Sequence, residues 1–213
     1  MSISYTRNEE LANSISHGIG ILIGLAASSV FLYSAYTHYD ALAQLGVWLY
    51  AFGVLSSYLS STLYHASKQG TFYRYILRKF DHSAIYWHIA GSYSPITLIG
   101  MREDMFWGWL LFIVVWTCAL IGSIMSFRGL KDHSNLETVC FVLMGMVVLI
   151  AFKPVLNAIG WESMGWIIAE GVSFITGALF YSMNKRRYMH TVFHVFVLLG
   201  SICHIIALCK FIN

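Results

Sequence analysis

Apolar runs of bilayer-spanning length follow one another along nearly the whole of this chain, and they leave few ways for it to fold. The hydrocarbon core of a membrane is about 30 Å thick and takes about 20 helical residues to cross. A backbone in lipid must satisfy its own hydrogen bonds, and runs this long do so as helices rather than as barrel strands. The residues 18–37, 42–64, 83–101, 105–126, 136–153, 164–183 and 190–212 predict seven such spans joined by short connections. Composition agrees: 11% of the residues are charged and 58% hydrophobic, with a mean hydropathy of +0.66, against about 25% charged in a soluble domain. The expected class is therefore all-α, an integral membrane seven-helix bundle. Residues 1–17 are expected as a cytoplasmic N-terminal tail and 18–213 as one transmembrane domain. The first span is read as an uncleaved anchor, because no basic segment leads into a short apolar core.

Basic residues set the orientation. Ten of the thirteen Lys and Arg fall on the side of the N-terminus: Arg7, then Lys68, Arg74, Arg78 and Lys79, then Arg128 and Lys131, then Lys185, Arg186 and Arg187. Arg102, Lys153 and Lys210 fall on the other. The N-terminus is thus expected in the cytoplasm and the C-terminus outside. The basic residues sit in short loops beside apolar runs, which gives no support for nucleic-acid binding. A retinal protein is disfavoured, since the seventh span has no mid-membrane lysine. Cys118, Cys140, Cys203 and Cys209 lack CxxC spacing and read as small apolar residues. Trp48, Trp107, Trp109, Trp161 and Trp166 fall near the expected interfaces, as an aromatic belt would.

The chemistry concentrates at one end. His190 and His194 are one helical turn apart at the start of the seventh span, so their Cβ atoms lie about 5–6 Å apart on one face. Histidine at the edge of a membrane helix marks a functional candidate. The expected topology brings His65, at the end of the second span, and Asp81, before the third, to the same leaflet. Three imidazoles form a zinc shell with a position left for water. Such neutral ligands leave the full 2+ charge to acidify that water. Asp81 is the carboxylate placed to take its proton, or else an N-cap of the third span. Ser61, one turn from His65, is placed to meet water or a substrate carbonyl, or else is a small residue at a helix contact.

NEELANSISHGIG (8–20), SSTLYHA (60–66), FDHSAIYWHIAGSYSP (80–95) and HTVFHVFVLLGSICH (190–204) closely resemble, in that order, the bacterial hemolysin III branch of the progestin and adipoQ receptor (PAQR) family. That superfamily carries Ser-x-x-x-His in the second span, Asp in the third and His-x-x-x-His in the seventh, here Ser61, His65, Asp81, His190 and His194. The resemblance implies a seven-helix fold with a cytoplasmic N-terminus, zinc on the three histidines, and lipid-amide hydrolysis as in the animal receptors. For bacterial members it implies a role in membrane homeostasis, and it carries a historical cytolysin label. This chain departs from the family pattern at Trp87-His88, where an aliphatic pair is usual, at AGSYSP, and at Glu170, where glycine is usual.

Other polar residues have weaker expectations. Glu10, Asn13, Ser14 and His17 fall at helical spacing, either capping the first span or closing the mouth of the site. Glu170 belongs to the half of the membrane away from the histidines and is expected to pair with a polar neighbour or line the cavity. His204 lies ten residues past His194, on another face and about 15 Å further along, and cannot join the same metal. Pro95 removes a backbone hydrogen bond from the third span and is expected to kink it. These residues point to a zinc-dependent hydrolase of lipid amides or esters in the bacterial inner membrane, with a membrane lipid as substrate or ligand. The alternatives are a lipid sensor with structural zinc and a pore-forming cytolysin.

Overall fold

The computed structural model describes residues 5–129, 135–183 and 186–212. Lys131 and Lys185 of the charge count, and the first four residues of the expected tail, lie outside them. In chain order the described residues form α1 (Arg7–His38), α2 (Ala41–Ala66), α3 (Phe72–Pro95), α4 (Met105–Gly129), α5 (Asn135–Gly145), α6 (Phe152–Ser182) and α7 (Met189–Cys209). No strand occurs among them. A π-helical turn, Ile96–Gly100, extends α3, and a 3₁₀ segment, Met146–Ala151, joins α5 to α6.

Five stretches are long and apolar enough to cross a membrane on their own: Arg7–His38, Ala41–Ala66, Met105–Arg128, Leu136–Ser182 and Met189–Cys209. The third expected span is not among them, because α3 carries Arg74, Arg78, Lys79 and Asp81 ahead of its apolar half. The Leu136–Ser182 stretch is 47 residues long, about 70 Å of helix and twice the hydrocarbon thickness. It contains one expected span, 136–153, and all but the last residue of another, 164–183. The connection expected between them is helical instead. Pro154 sits in the first turn of α6, where a missing N–H costs nothing, and the break comes at Gly160, whose φ of 75° is open to glycine.

Two helices start earlier than their apolar runs. α1 begins at Arg7 because Thr6 and Glu9 form a capping box: the Glu9 N–H donates to Thr6 Oγ1 at 3.3 Å, and the Thr6 N–H donates to Glu9 Oε2 at 2.9 Å. Residues 7–17 are therefore helix, and neither Glu10 nor Asn13 is the cap. Thr71 caps α3, its Oγ1 accepting from the Arg74 N–H at 3.3 Å. Asp81 thus lies well inside α3 and caps nothing. At the other end, Pro95 closes the α-helix and the chain continues through the π turn, with the Met101 N–H donating to the Ile96 carbonyl at 2.9 Å.

α2 lies between α1 and α3, and α7 packs on α6 and α1. Phe31, Val47, Tyr50, Val54, Tyr58 and Leu208 are fully buried where α1, α2 and α7 meet. The α2–α3 seam is tight because glycines face each other across it. A Cβ on Gly91 would stand 2.8 Å from the Leu49 carbonyl oxygen and 3.1 Å from the Gly53 Cα, the close approach small residues permit in membranes. Outward faces are apolar, with Leu22, Leu120 and Leu179 each more than 60% exposed. Such a surface belongs in lipid, and the chain is an integral membrane protein.

Candidate functional site

The end of α2 and the start of α7 meet at one end of the bundle, and three imidazoles converge there. His65 Nε2 lies 3.1 Å from His190 Nε2, which lies 3.1 Å from His194 Nε2. One ring nitrogen from each of the three falls within 4.8 Å of the others, and His65 and His194 are buried. The i, i+4 pair of α7 and a third imidazole from α2 are thus together.

The outward nitrogens decide what this cluster can hold. The Glu10 carboxylate accepts from the His65 Nδ1–H at 2.7 Å. The His194 Nδ1–H donates to the Asn13 carbonyl at 3.2 Å, and Ser16 Oγ lies 3.1 Å from the same nitrogen while donating to that carbonyl. With Nδ1 protonated in both rings, each presents a bare lone pair at Nε2. Both lone pairs face His190 Nε2, where a single proton satisfies one of them and a cation satisfies all three. Ligating histidines are oriented through their far nitrogens in this way. The donor set therefore fits a divalent metal of the zinc type.

α1 supplies these orienting groups. Glu10 is also bound by the Arg74 guanidinium and accepts from Gln69 Nε2 at 3.1 Å. Arg74 donates in addition to the Tyr64 and Ser67 carbonyls at 2.9 and 2.8 Å, which ties the α2–α3 connection to the site. Asn13 Oδ1 accepts from Thr191 Oγ1 at 2.5 Å, locking α1 to the first turn of α7. Glu9 accepts the Tyr188 N–H at 2.9 Å. This holds the left-handed Tyr188, φ 61°, that turns the chain into α7 just ahead of His190. His17 stacks flat on His194, with ring centroids 3.6 Å apart, and neither of its nitrogens has a partner among the described residues. Glu10, Asn13 and His17 are thus walls and supports of the site. Their helical spacing is the signal in the sequence that they share a face.

Two contributors stand outside the candidate residues that the sequence singles out. Tyr5 lies with its ring 5.1 Å from His190 and 5.9 Å from His65. Burial, reinforced by Tyr181, Tyr64, Glu10 and Asp81 nearby, pushes its hydroxyl pKa up, so Tyr5 stays a donor. Ser16 is the other; it lies inside the 8–20 motif, which gives no sign of the imidazole it meets.

Ser61, Asp81, His190 and His194 line a cavity of about 850 Å³ that runs from this cluster along the inside of the bundle. His65 stands behind them with its side chain fully buried. Ser61 is buried and its Oγ has no partner among the described residues. Asp81 is half-buried on the α3 wall. The cavity also reaches His88, Glu170 and His204. Glu170 pairs with His204 at 2.8 Å and His88 with Ser201 at 3.3 Å, so Glu170 both pairs and lines the cavity, and neither it nor His204 joins the three histidines. None of the four cysteines forms a disulfide among the described residues, and all four are half-buried.

Comparison with known proteins agrees with this architecture. The family model described as "Haemolysin-III related" matches residues 5–205. The chain is 33% identical over 193 residues to Hemolysin-3 of Bacillus cereus, covering 91% of this chain and 87% of that protein. It is 32% identical over 197 residues to the Hemolysin-3 homolog of Bacillus subtilis (strain 168), covering 92% and 91%. Similarity extends to the monocyte to macrophage differentiation factor of Homo sapiens, 22% identical over 215 residues, covering 96% of this chain and 84% of that one. The chain belongs to the haemolysin-III-related family, within the progestin and adipoQ receptor (PAQR) family.

Proposed function

We propose that this protein is a zinc-dependent hydrolase of lipid amide or ester bonds in the bacterial inner membrane, contributing to membrane homeostasis. The observation that carries the reading is the pair of fixed lone pairs on His65 and His194 turned toward His190, at the end of a cavity with apolar walls. Zinc held by His65, His190 and His194 would supply a Lewis acid that polarises a carbonyl and acidifies water.

The chain's own groups divide the remaining work. A carboxylate oxygen of Asp81 takes the proton of the attacking water and returns it to the departing amine or alcohol. The Ser61 hydroxyl, with no partner among the described residues, donates to the substrate carbonyl oxygen. Glu10 and the Asn13 carbonyl hold the imidazoles so that no reorganisation accompanies the reaction. The cavity walls hold the acyl chain and keep bulk water from it. In this reading the chain crosses seven times, with α3 and the two halves of Leu136–Ser182 completing the set. The three-histidine end lies in the cytoplasmic leaflet, as the bias of Lys and Arg supports.

The test is turnover of a broad membrane-lipid extract by purified protein, followed by mass spectrometry. Released fatty acid with wild type, and none with Asp81→Ala at unchanged zinc content, supports the reading. Retained zinc with no product from any lipid refutes it, and supports a lipid sensor in which the metal ties α1, α2 and α7 together. The contacts of Glu10, Asn13 and Glu9 across those three helices favour that second reading. Vesicle leakage that persists without the histidines supports a cytolysin instead.

A further inference from the structure

The far end of the cavity holds a second polar group of residues. His204 Nδ1 faces the Glu170 carboxylate at 2.8 Å, so Nδ1 carries the proton and Nε2 is a lone pair. That Nε2 is buried without a partner among the described residues, on a side chain only 2% exposed. Buried polar atoms are nearly always paired, and an exception calls for a reason. Nearby, the Tyr58 hydroxyl donates to Ser201 Oγ at 2.6 Å, and Ser201 Oγ lies 3.3 Å from His88 Nε2. His204 therefore offers an acceptor, and it and His88 both line the cavity. Its walls between the two ends are apolar, including Ile85, Ile89, Phe141, Ile168, Phe174 and Val197.

We propose that His88, Glu170 and His204 form a second subsite that takes a hydroxyl group carried part-way along an acyl chain whose head lies at the three histidines. A hydroxyl donates, which matches the bare Nε2 of His204. Spacing sets its position. His194 and His204 are ten residues apart on α7, about 15 Å of rise. An extended chain covers about 1.2 Å per bond, so the hydroxyl belongs about 12 bonds from the head. Glu170 is the orienting residue: its carboxylate fixes the tautomer that makes His204 an acceptor. The inference needs an acyl chain in the cavity, as the proposed hydrolase does, but it needs no turnover.

The test is equilibrium binding of four fatty acids to the full-length protein in detergent, corrected for partition into empty micelles: octadecanoic, 2-hydroxyoctadecanoic, 12-hydroxyoctadecanoic and 12-oxooctadecanoic acid. The 12-hydroxy acid should bind about 5- to 10-fold tighter than octadecanoic acid, the factor one well-made hydrogen bond is worth. The 2-hydroxy and 12-oxo acids should match octadecanoic acid, the first misplaced and the second unable to donate. His204→Phe should abolish the preference. Equal affinity for all four overturns the subsite and leaves the polar end to water, and a 12-oxo acid binding as tightly as the 12-hydroxy acid overturns the assignment of His204 as acceptor. These comparisons use wild-type protein, so they decide the matter even where His204→Phe fails to fold. The outcome is the same whether or not any lipid is cleaved, which separates it from the test of hydrolysis.

Discussion

Replacing Glu10 by alanine should weaken zinc binding without unfolding the site. Its Oε2 accepts from His65 Nδ1 at 2.7 Å, with the histidine side chain fully buried and the glutamate 11% exposed. A hydrogen bond to a charged group at such a site is worth about 1.5–3 kcal/mol, and each 1.4 kcal/mol is a factor of ten. Without the carboxylate, His65 is free to rotate or to move its proton to Nε2, and the metal must bear that cost. Zinc affinity should therefore fall about 10- to 100-fold, the range typical for groups that orient a ligating histidine. The fold should survive, because Arg74 keeps the Tyr64 and Ser67 carbonyls at 2.9 and 2.8 Å. Glu10→Gln retains an acceptor and should lose only several-fold. Ser16→Ala is the matched control: the Asn13 carbonyl still accepts from His194 at 3.2 Å, so affinity should stay within about twofold. The assay is competition for zinc with a chromogenic chelator at fixed pH. Glu10→Ala binding zinc as tightly as wild type would refute the reasoning, since the lone pair on His65 would then not depend on its carboxylate.

Asp81→Asn should lower turnover of the lipid substrate by about 10²- to 10⁴-fold at unchanged zinc content, measured by product release and metal analysis on the same sample. Ser61→Ala removes a hydroxyl with no partner among the described residues, so thermal stability should move by less than about 0.5 kcal/mol while turnover falls. Gly91→Ala places a methyl 2.8 Å from the Leu49 carbonyl oxygen; overpacking of this kind costs about 1–3 kcal/mol and should lower the melting temperature and separate α2 from α3. Chelation should lower the melting temperature of wild type, because a ligand that binds only the folded state stabilises it, and should leave that of His65→Ala unchanged.

Much of the frame was legible in the sequence because lipid imposes simple rules: runs of sufficient length must be helices. The meeting of His65 with His190 and His194 was legible for the same reason, since alternating spans bring the end of one and the start of another to a single face. The starts of α1 and α3 were less so. Their first turns are polar and read as loop, although Thr6-x-x-Glu9 is a capping box in plain view. The third expected span fell short as a membrane stretch because the same polar turns belong to its helix. Pairings across the fold were hidden altogether. Nothing local to Glu10 indicates a histidine 55 residues away, or local to Glu170 one 34 residues away. The facing of His88 was hidden too, because α3 is buried on several sides there and its apolar pattern names no single inner face.

X-ray absorption at the zinc edge, on protein purified without added metal, tests the shared cation most directly. The account predicts about one zinc per chain, bound by three imidazole nitrogens at about 2.0–2.1 Å, with that signal lost in His194→Ala. Protein that purifies without metal and takes up none on addition of zinc, or a zinc edge showing sulfur ligands, would contradict it.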